Sequence, residues 1–450
     1  MITGKLKPIN EIISSIEKYK NILILGCGSC VTVSLSGGDR EAHALARELS
    51  DHGHNGNGNG NGNGGSKRSV QVRTIQRQCE TDLLKSFLDI PPDTDLILSL
   101  ACGAGVQTLA ETFGHLPVIP ALNTTFLGAL DEQGRLIGYD YNARSCDYNH
   151  VGYNEPDTVL IAQLMGQRRE RPASGSASMP SDVYVIPNRK MAGEVVGLPM
   201  IWETPLRTGN LRDPNGPQST FAAESFIDEL AAAAKTDPLE FRVNLLKAGT
   251  TDDEGFRRAR SLAVLKAAKE KYGWDSRPSP KTRGSGDILT GRGIAYTFRG
   301  QTIVAQIAEV EVNRKTGHVW AKRMVCAHDC GLVVNPESLH HAVECGVLHG
   351  LSRSIHEEVR FDTEKVTSRD WVSHPTLRHA DVPESVEIVL VNGDPNPNRP
   401  DLPPYGAGEA SLKPTMAAIA NAIYDATGVR IRRVPFRNDR VLAALKAAGV

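Results

Sequence analysis

Four cysteines in the first quarter of the chain and one glutamate near its end have the types and spacing to do chemistry. Cys27 and Cys30 form a C-x-x-C pair directly after the run NILILG, Cys79 follows SVQVRTI, and Cys102 ends DLILSLAC. Thiolate sulfur is a soft donor, so four converging thiolates suit a tetrahedral zinc ion or an iron–sulfur cluster. A redox dithiol made of Cys27 and Cys30 alone is the smaller alternative. Near the other end, PPYGAGEASLKP sets Glu409 between a glycine-rich turn and a helical pattern. Gly406 and Gly408 there let backbone approach a ligand closely. Glu409 is the best single catalytic candidate, and it also has an ordinary alternative role as a cap at the positive end of the following helix.

The cysteines need elements that bring them together, and residues 21–124 supply a regular alternation. Strand-like runs at Asn21–Gly26, Ser69–Ile75, Asp95–Cys102 and Leu116–Leu122 are separated by helical patterns at Arg40–Leu49, Glu80–Leu88 and Val106–Phe113. In the first helical pattern Ala42, Leu45, Ala46 and Leu49 share one face. Repeated βα alternation predicts a mostly parallel sheet covered by helices. The carboxyl ends of its strands share one edge, where such folds place ligands, and the cysteines fall at those ends. Helix N-termini at that edge would lower thiol pKa values and favour an anionic cluster. The near-pure Asn-Gly stretch 54–65 has nothing apolar to bury and reads as a flexible loop, with His52 and His54 solvated in preference to metal-bound.

Around Glu409 the pattern is less regular. A helix is predicted over Phe221–Ala234, and a second is opened by Asp237-Pro238-Leu239-Glu240, an N-cap, a first-turn proline and a capping-box glutamate. Thr302–Val312 and Val319–Val325 read as strands joined by a turn at Asn313–Gly317. Pro414–Ala426 reads as a helix with Met416, Ile419 and Ile423 on one face and Gly428 just past its end. Residues 167–179, arginine-rich and then SGSAS, read as a flexible stretch. Intermixed strands and helices without strict alternation make this part α+β. Cys326, Cys330 and Cys345 lack the spacing of a plant-type two-iron site and read as packing residues. His340, His341, His349 and His356 lie in a helical stretch and read as helix-face residues in preference to ligands.

Composition bounds the partners. A chain of 450 residues is long enough for two to four domains. Its 51 Lys and Arg nearly cancel 52 Asp and Glu, which leaves no overall field for nucleic acid or an acidic membrane. A small-molecule substrate is expected instead. The first residues carry charges where a signal peptide needs an apolar stretch, no run approaches a membrane span, and a cytoplasmic location is expected. Eight cysteines without a secretory signal do not read as a disulfide framework.

Two resemblances extend this reading. The runs ILILGCGSCVTVSLSGGDREAHALARELS, VRTIQRQC, LILSLACGAGVQTLAE and PALNTTFLG, within residues 1–135, resemble the cysteine-rich domain found as a C-terminal region or companion subunit of methylenetetrahydrofolate reductases. Ser34 stands where that family often has a further cysteine, and its later cysteine-rich tail and flavin-binding barrel have no counterpart. From residue 136 to 450, LRTGNLRDPNGPQSTFAAESFIDELA, GRGIAYTFRGQTIVAQIAEVEVNRKTGHV, VCAHDCGLVVNPESL, LHGLSRSIHEEV and PPYGAGEASLKPTMAAIANAIYDATG resemble, in order, the C-terminal part of the large molybdenum-binding subunit of the xanthine dehydrogenase and aldehyde oxidase family.

The second resemblance implies a molybdopterin-type molybdenum cofactor, partner redox subunits carrying iron–sulfur and flavin groups, and Glu409 as general base in water-derived hydroxylation of an aldehyde or N-heterocycle. It implies that the turn through Gly216, Pro217 and Gln218, with Arg207 or Arg212, and the turn of Gly406 and Gly408 border the pterin and substrate pocket. The family commonly has a glutamine near Ala342, and the amino-terminal half of its large subunit has no counterpart here. The expected architecture is therefore an α/β N-terminal domain over 1–135, with a mostly parallel, Rossmann-like sheet. An α+β, molybdenum-hydroxylase-like region follows over 136–450. The competing expectation is an iron–sulfur or zinc-binding accessory module of a methylenetetrahydrofolate reductase-type complex with an inactive C-terminal segment, or a fusion without function.

Overall fold

The computed structural model describes residues 2–28, 30–33, 36–52, 68–87, 89–146, 179–196, 211–247, 255–281, 284, 286–391 and 402–450. The Asn-Gly stretch 54–65, Arg207 and almost all of 167–179 lie outside them. Two compact units divide the chain: Met1–Ala129 with Ile137–Tyr141, and Leu130–Leu136 with Asn142–Val450.

The first unit contains β1 (Ile2–Leu6), α1 (Ile9–Ser15), β2 (Asn21–Cys27), α2 (Cys30–Val33), α3 (Asp39–His52), β3 (Ser69–Ile75), α4 (Thr81–Phe87), β4 (Leu96–Ser99), α5 (Gly103–Thr112), β5 (Val118–Pro120) and β6 (Leu122–Leu130), and it includes part of β7 (Leu136–Cys146). Strands β3, β2, β4 and β5 lie side by side in that order, and every pairing is parallel. Strands β2 and β4 are continuous apolar runs because both faces are covered. Ile22, Ile24, Leu96 and Leu98 pack with Leu45 and Leu49 of α3, while Leu25 and Ile97 pack with Leu84 of α4 and Leu109 of α5. The face foreseen for α3 is the buried one, through Ala42, Leu45 and Leu49. Beyond Leu122 the chain continues as β6, which pairs antiparallel with β1. Its alternation is masked by a Thr-Thr-Phe run, and its partner lies at the far end of the unit's sequence, so no local pattern announces it.

In the second unit β8 (Asn188–Val196), α6 (Gly216–Ala233), α7 (Pro238–Lys247) and α8 (Gly255–Tyr272) precede a sheet of β9 (Ile288–Arg299), β10 (Thr302–Asn313), β11 (Val319–Asp329) and β12 (Ser385–Leu390). Strands β9, β10 and β11 form an antiparallel meander, and β12 joins β11 in parallel. Between them runs α9 (Pro336–Ile355), and α10 (Thr415–Thr427) and α11 (Asn438–Ala447) close the chain. Asp237 caps α7 as its sequence predicts, accepting from the N–H groups of Leu239 at 3.0 Å and Glu240 at 2.9 Å.

Helix α10 ends as foreseen, on Gly428 in the left-handed conformation at φ 70°, but it is buried on all sides and not on one face. It packs on β9 and β10 on one side and against α6 and α9 on the others. Gly291 and Gly293 make that approach possible: a Cβ on either would lie 2.3 Å from the carbonyl oxygen of Ala422 or Ala418 respectively. Helix α6 is almost as deeply buried, although it carries Glu224, Asp228 and Glu229. Their charges are met inside the protein, where Arg242 donates to Glu224 at 2.8 Å and to Asp228 at 3.2 Å, and Arg430 pairs with Asp228 at 3.2 Å.

Candidate active site

The turn Tyr405–Glu409 is held at three points by three separate stretches of chain. The Tyr405 N–H donates to the carbonyl of Cys330 at 2.8 Å, just past β11. The Thr302 hydroxyl, which opens β10, donates to the Gly406 carbonyl at 2.8 Å. Arg212 donates through Nε to the Gly408 carbonyl at 2.7 Å across 196 residues of sequence. A Cβ on Gly406 or Gly408 would meet none of the described residues within 4 Å. Packing among the described residues therefore does not explain these two glycines.

Glu409 stands at the N-cap position of a short 3-10 turn, Ala410–Leu412, but its side chain makes no capping hydrogen bond. Its carboxylate turns instead to the loop before α6. Oε1 accepts the backbone N–H of Asp213 at 3.1 Å, and Oε2 pairs with the guanidinium of Arg299. The same guanidinium donates through Nε to Asp213 Oδ1 at 3.0 Å, so one arginine bridges two carboxylates.

Asp213 is buried and takes the left-handed backbone conformation, with φ 53°. Gly216 is what admits its side chain, since a Cβ there would lie 1.9 Å from Oδ2. Burial raises the Asp213 carboxyl above the usual carboxylate range, Lys413 and Arg299 oppose that rise, and the charge of Glu409 adds to it. Lys413 is buried, and its burial pushes the ammonium down to about 8. Its Nζ donates to Ser181 Oγ at 2.8 Å and to the Phe298 carbonyl at 2.9 Å.

Arg212 ties this corner to α9. Besides Gly408, its guanidinium reaches the Ala342 carbonyl at 3.3 Å and Cys345 Sγ at 3.4 Å, while Arg353 donates to the Arg212 carbonyl at 2.7 Å. Burial lowers the pKa of Arg353, and its Nε and one terminal nitrogen have no hydrogen-bond partner among the described residues. Gln218 lies on the first turn of α6 and donates to the Pro214 carbonyl at 3.0 Å. Glu409, Arg212, Gly216, Gln218, Gly406 and Gly408 thus fall in one region. Asp213, Arg299 and Lys413 were not foreseen. The residues lay inside quoted motifs, but only folding shows that Arg299 bridges Glu409 and Asp213 and that the charge of Lys413 acts on Asp213.

In the first unit Cys27 ends β2, Cys102 immediately precedes α5, and Cys79 lies in the turn after β3, so these three occupy the carboxyl edge of the parallel sheet. Cys30 opens α2, and its side chain lies outside the described residues. Cys27 and Cys102 are buried and Cys79 is exposed. Among the described residues, the one group of three metal-ligating side chains gathered within 4.8 Å is His340, His341 and Glu344. Cys326 and Cys330 are buried, with thiols pushed up by burial to about 12 and about 11, as suits packing residues. Cys345 is exposed on α9.

Comparison with known proteins places the second unit. Residues 221–388 match the family of the molybdopterin cofactor-binding domain. A subunit of the nicotinate dehydrogenase of Pseudomonas putida is 37% identical over 256 residues, which cover 55% of this chain and 20% of the relative. The beta subunit of isoquinoline 1-oxidoreductase from Brevundimonas diminuta is 30% identical over 232 residues, 52% of this chain and 27% of the relative. The molybdenum-binding subunit of an Escherichia coli aldehyde oxidoreductase is 30% identical over 154 residues, 34% of this chain and 21% of the relative. The crystal structure of quinoline 2-oxidoreductase from Pseudomonas putida shares the fold at a TM-score of 0.54 and 12% identity, over 72% of this chain and 62% of that one.

Residues 221–388 are thus similar to a molybdopterin cofactor-binding domain, and these relatives are by name a dehydrogenase and two oxidoreductases. The chain spans less than a third of the length of these three relatives, 20%, 27% and 21% respectively. None of these matches speaks for the methylenetetrahydrofolate reductase resemblance of residues 1–135. No described helix is long and apolar enough to cross a membrane.

Proposed function

We propose that the protein is an oxidoreductase component of molybdenum-hydroxylase type, acting on an aldehyde or N-heterocycle, with Glu409 as general base. The observation that carries this reading is the convergence of Arg212, Asp213, Arg299 and Glu409, from stretches almost 200 residues apart, beside two glycines that no described residue crowds. The residues fit an anionic, bulky cofactor: Gly406 and Gly408 leave room for it, and Arg353 has buried N–H groups without partners among the described residues. Arg212, Gly216, Gln218, Gly406 and Gly408 would border it, and Arg207 is proposed with them. When bound, a molybdenum cofactor supplies two-electron oxidation with the oxygen taken from water.

The chain's own part is to place and move a proton. The Asp213 N–H and Arg299 hold the Glu409 carboxylate beside the glycine turn, where it would take up the proton released by the hydroxylating water. Arg299 also spans Asp213, which keeps two neighbouring carboxylates from repelling each other apart. Nicotinate, isoquinoline and aldehydes, which appear in the relatives' names, are the substrates to try first. Partner subunits carrying iron–sulfur and flavin groups would take the electrons onward, a reading supported by the relatives being subunits themselves.

For the first unit we infer a metal ion or iron–sulfur cluster on Cys27, Cys30, Cys79 and Cys102. The support is their place at the carboxyl edge of a parallel, Rossmann-like sheet whose strand order reverses between β2 and β4. The test of the whole reading is Glu409→Gln, purified with elemental analysis for molybdenum, iron and zinc. Turnover should fall by roughly 10²- to 10⁴-fold, the range for losing a general base, with molybdenum content unchanged. Unchanged turnover removes Glu409 from the chemistry. A cofactor-replete preparation that stays without molybdenum even when the rest of a relative's large subunit is supplied in trans overturns the function itself.

A further inference from the structure

We propose that the outer face of α9 carries a divalent transition-metal site made by His340, His341 and Glu344. Its ligand atoms all lie within 4.8 Å of one another. His341 Nδ1 is 3.8 Å from Glu344 Oε2, and the two imidazoles meet edge to face with ring centroids 6.0 Å apart, so that neither ring covers the other. Metal–nitrogen and metal–carboxylate bonds are about 2.0–2.2 Å, which sets the ligands of a tetrahedral ion about 3.4 Å apart. Rotation of these surface side chains by up to about an ångström closes the observed spacing.

The helix itself is rigid where the ligands sit. Asn335 caps it, accepting from the Ser338 N–H at 3.0 Å, and Val343, Val347 and Leu351 anchor its inner face in the core of the second unit. Glu344 follows His340 by one helical turn and His341 by three residues, the two spacings that put side chains on a common face. In the sequence both histidines read as helix-face residues. The signal that points further is the carboxylate at that shared spacing.

Two imidazoles and one carboxylate form a borderline donor set that suits copper, nickel or zinc over magnesium or calcium. Three protein ligands leave a coordination position open to water or to a group from another molecule. The site shares its turn of helix with the grip on Arg212: the carbonyl of Ala342, between His341 and Glu344, accepts from that guanidinium, and Cys345 touches it. A bound ion would stiffen the turn that holds Arg212 against Gly408. This inference stands on α9 alone and does not need the molybdenum reading.

The experiment is a cobalt(II) titration of the full chain after chelator treatment, followed by visible absorption and repeated with zinc(II) by equilibrium dialysis. Nitrogen and oxygen ligands give ligand-field bands without sulfur-to-cobalt charge transfer, whereas the cysteines of the first unit, if they bind, announce themselves by that transfer. One binding event of the first kind is expected. His341→Ala and Glu344→Gln should each weaken it by at least the ~10- to 100-fold that loss of an outer-shell partner costs, and leave any thiolate band and the circular dichroism unchanged. A titration with no sulfur-free bands, or with bands indifferent to both substitutions, overturns the site. Failure of the molybdenum reading would show as missing molybdenum and turnover and would leave the cobalt spectrum as it is.

Discussion

His328 lies in β11 opposite Val304, 1% exposed, and neither ring nitrogen has a hydrogen-bond partner among the described residues. Burial pushes its pKa down to about 4, against a weak opposing pull from Asp329. An unfolded histidine takes up a proton near pH 6.5, the folded one only near 4. Between those values the unfolded chain holds more protons, so stability falls as pH drops from 6.5 towards 4. Leucine fills a similar volume without a polar atom. His328→Leu is expected to stabilise the protein at neutral pH by about 1 kcal/mol, the low end of the cost of a buried unsatisfied group, and to flatten the loss of stability over that acid range. Thermal unfolding of both proteins at pH 7 and pH 4.5 checks this. A variant that is less stable and keeps the full acid slope would show that the imidazole has a native role.

At the scale of elements the second unit depends on α10 lying directly on β9. Small residues on both sides make that possible: Ala418 and Ala422 on the helix face Gly291 and Gly293 on the strand. An alanine methyl at 293 would lie 2.2 Å from the Ala422 nitrogen and 2.3 Å from the Ala418 carbonyl oxygen, and both are backbone atoms that cannot rotate aside. Gly293→Ala should therefore cost about 3 kcal/mol, the upper end of the range for overpacking, read from the shift of the urea midpoint. Gly286, where a Cβ would come no closer than 3.9 Å to another atom, is the control, and its alanine variant should unfold like the parent. Equal midpoints for the two variants would mean that the helix and strand separate more readily than their packing implies. The helix was legible in its 3.6-residue pattern and its Gly428 stop. Its all-round burial was not, because the covering elements come from residues 216–233, 288–313 and 336–355.

At the scale of the whole molecule, each unit has a hydrophobic core of its own. The candidate active site is built entirely from the second unit, while the relatives it resembles are three to five times longer than the stretch it matches. The unmatched length of those relatives would carry further cofactor contacts, and a cofactor whose polar atoms are left unpaired binds weakly. Supplying in trans the part of the Pseudomonas putida nicotinate dehydrogenase relative that this chain does not match is expected to raise molybdenum in the purified protein from a trace towards stoichiometric. Inductively coupled plasma analysis of the co-purified material measures it. Equal molybdenum with and without that partner would mean that the second unit holds the cofactor unaided.

Local pattern alone carried the βα alternation of the first unit, the Asp237 cap, the β10–β11 hairpin and the turn before Glu409, because strand and helix periods and turn residues are set by near neighbours. The resemblance of ordered motifs carried the molybdopterin reading and the role offered to Glu409. Only the tertiary structure showed what Glu409 touches. Asp213 is 196 residues away and Arg299 ends β9, and charges that distant in sequence have no spacing to read. The same holds for β1 pairing with β6 and for Arg242 neutralising Glu224 and Asp228. Periodicity is decided by which face of one element is buried, and a site is decided by which faces of several elements meet.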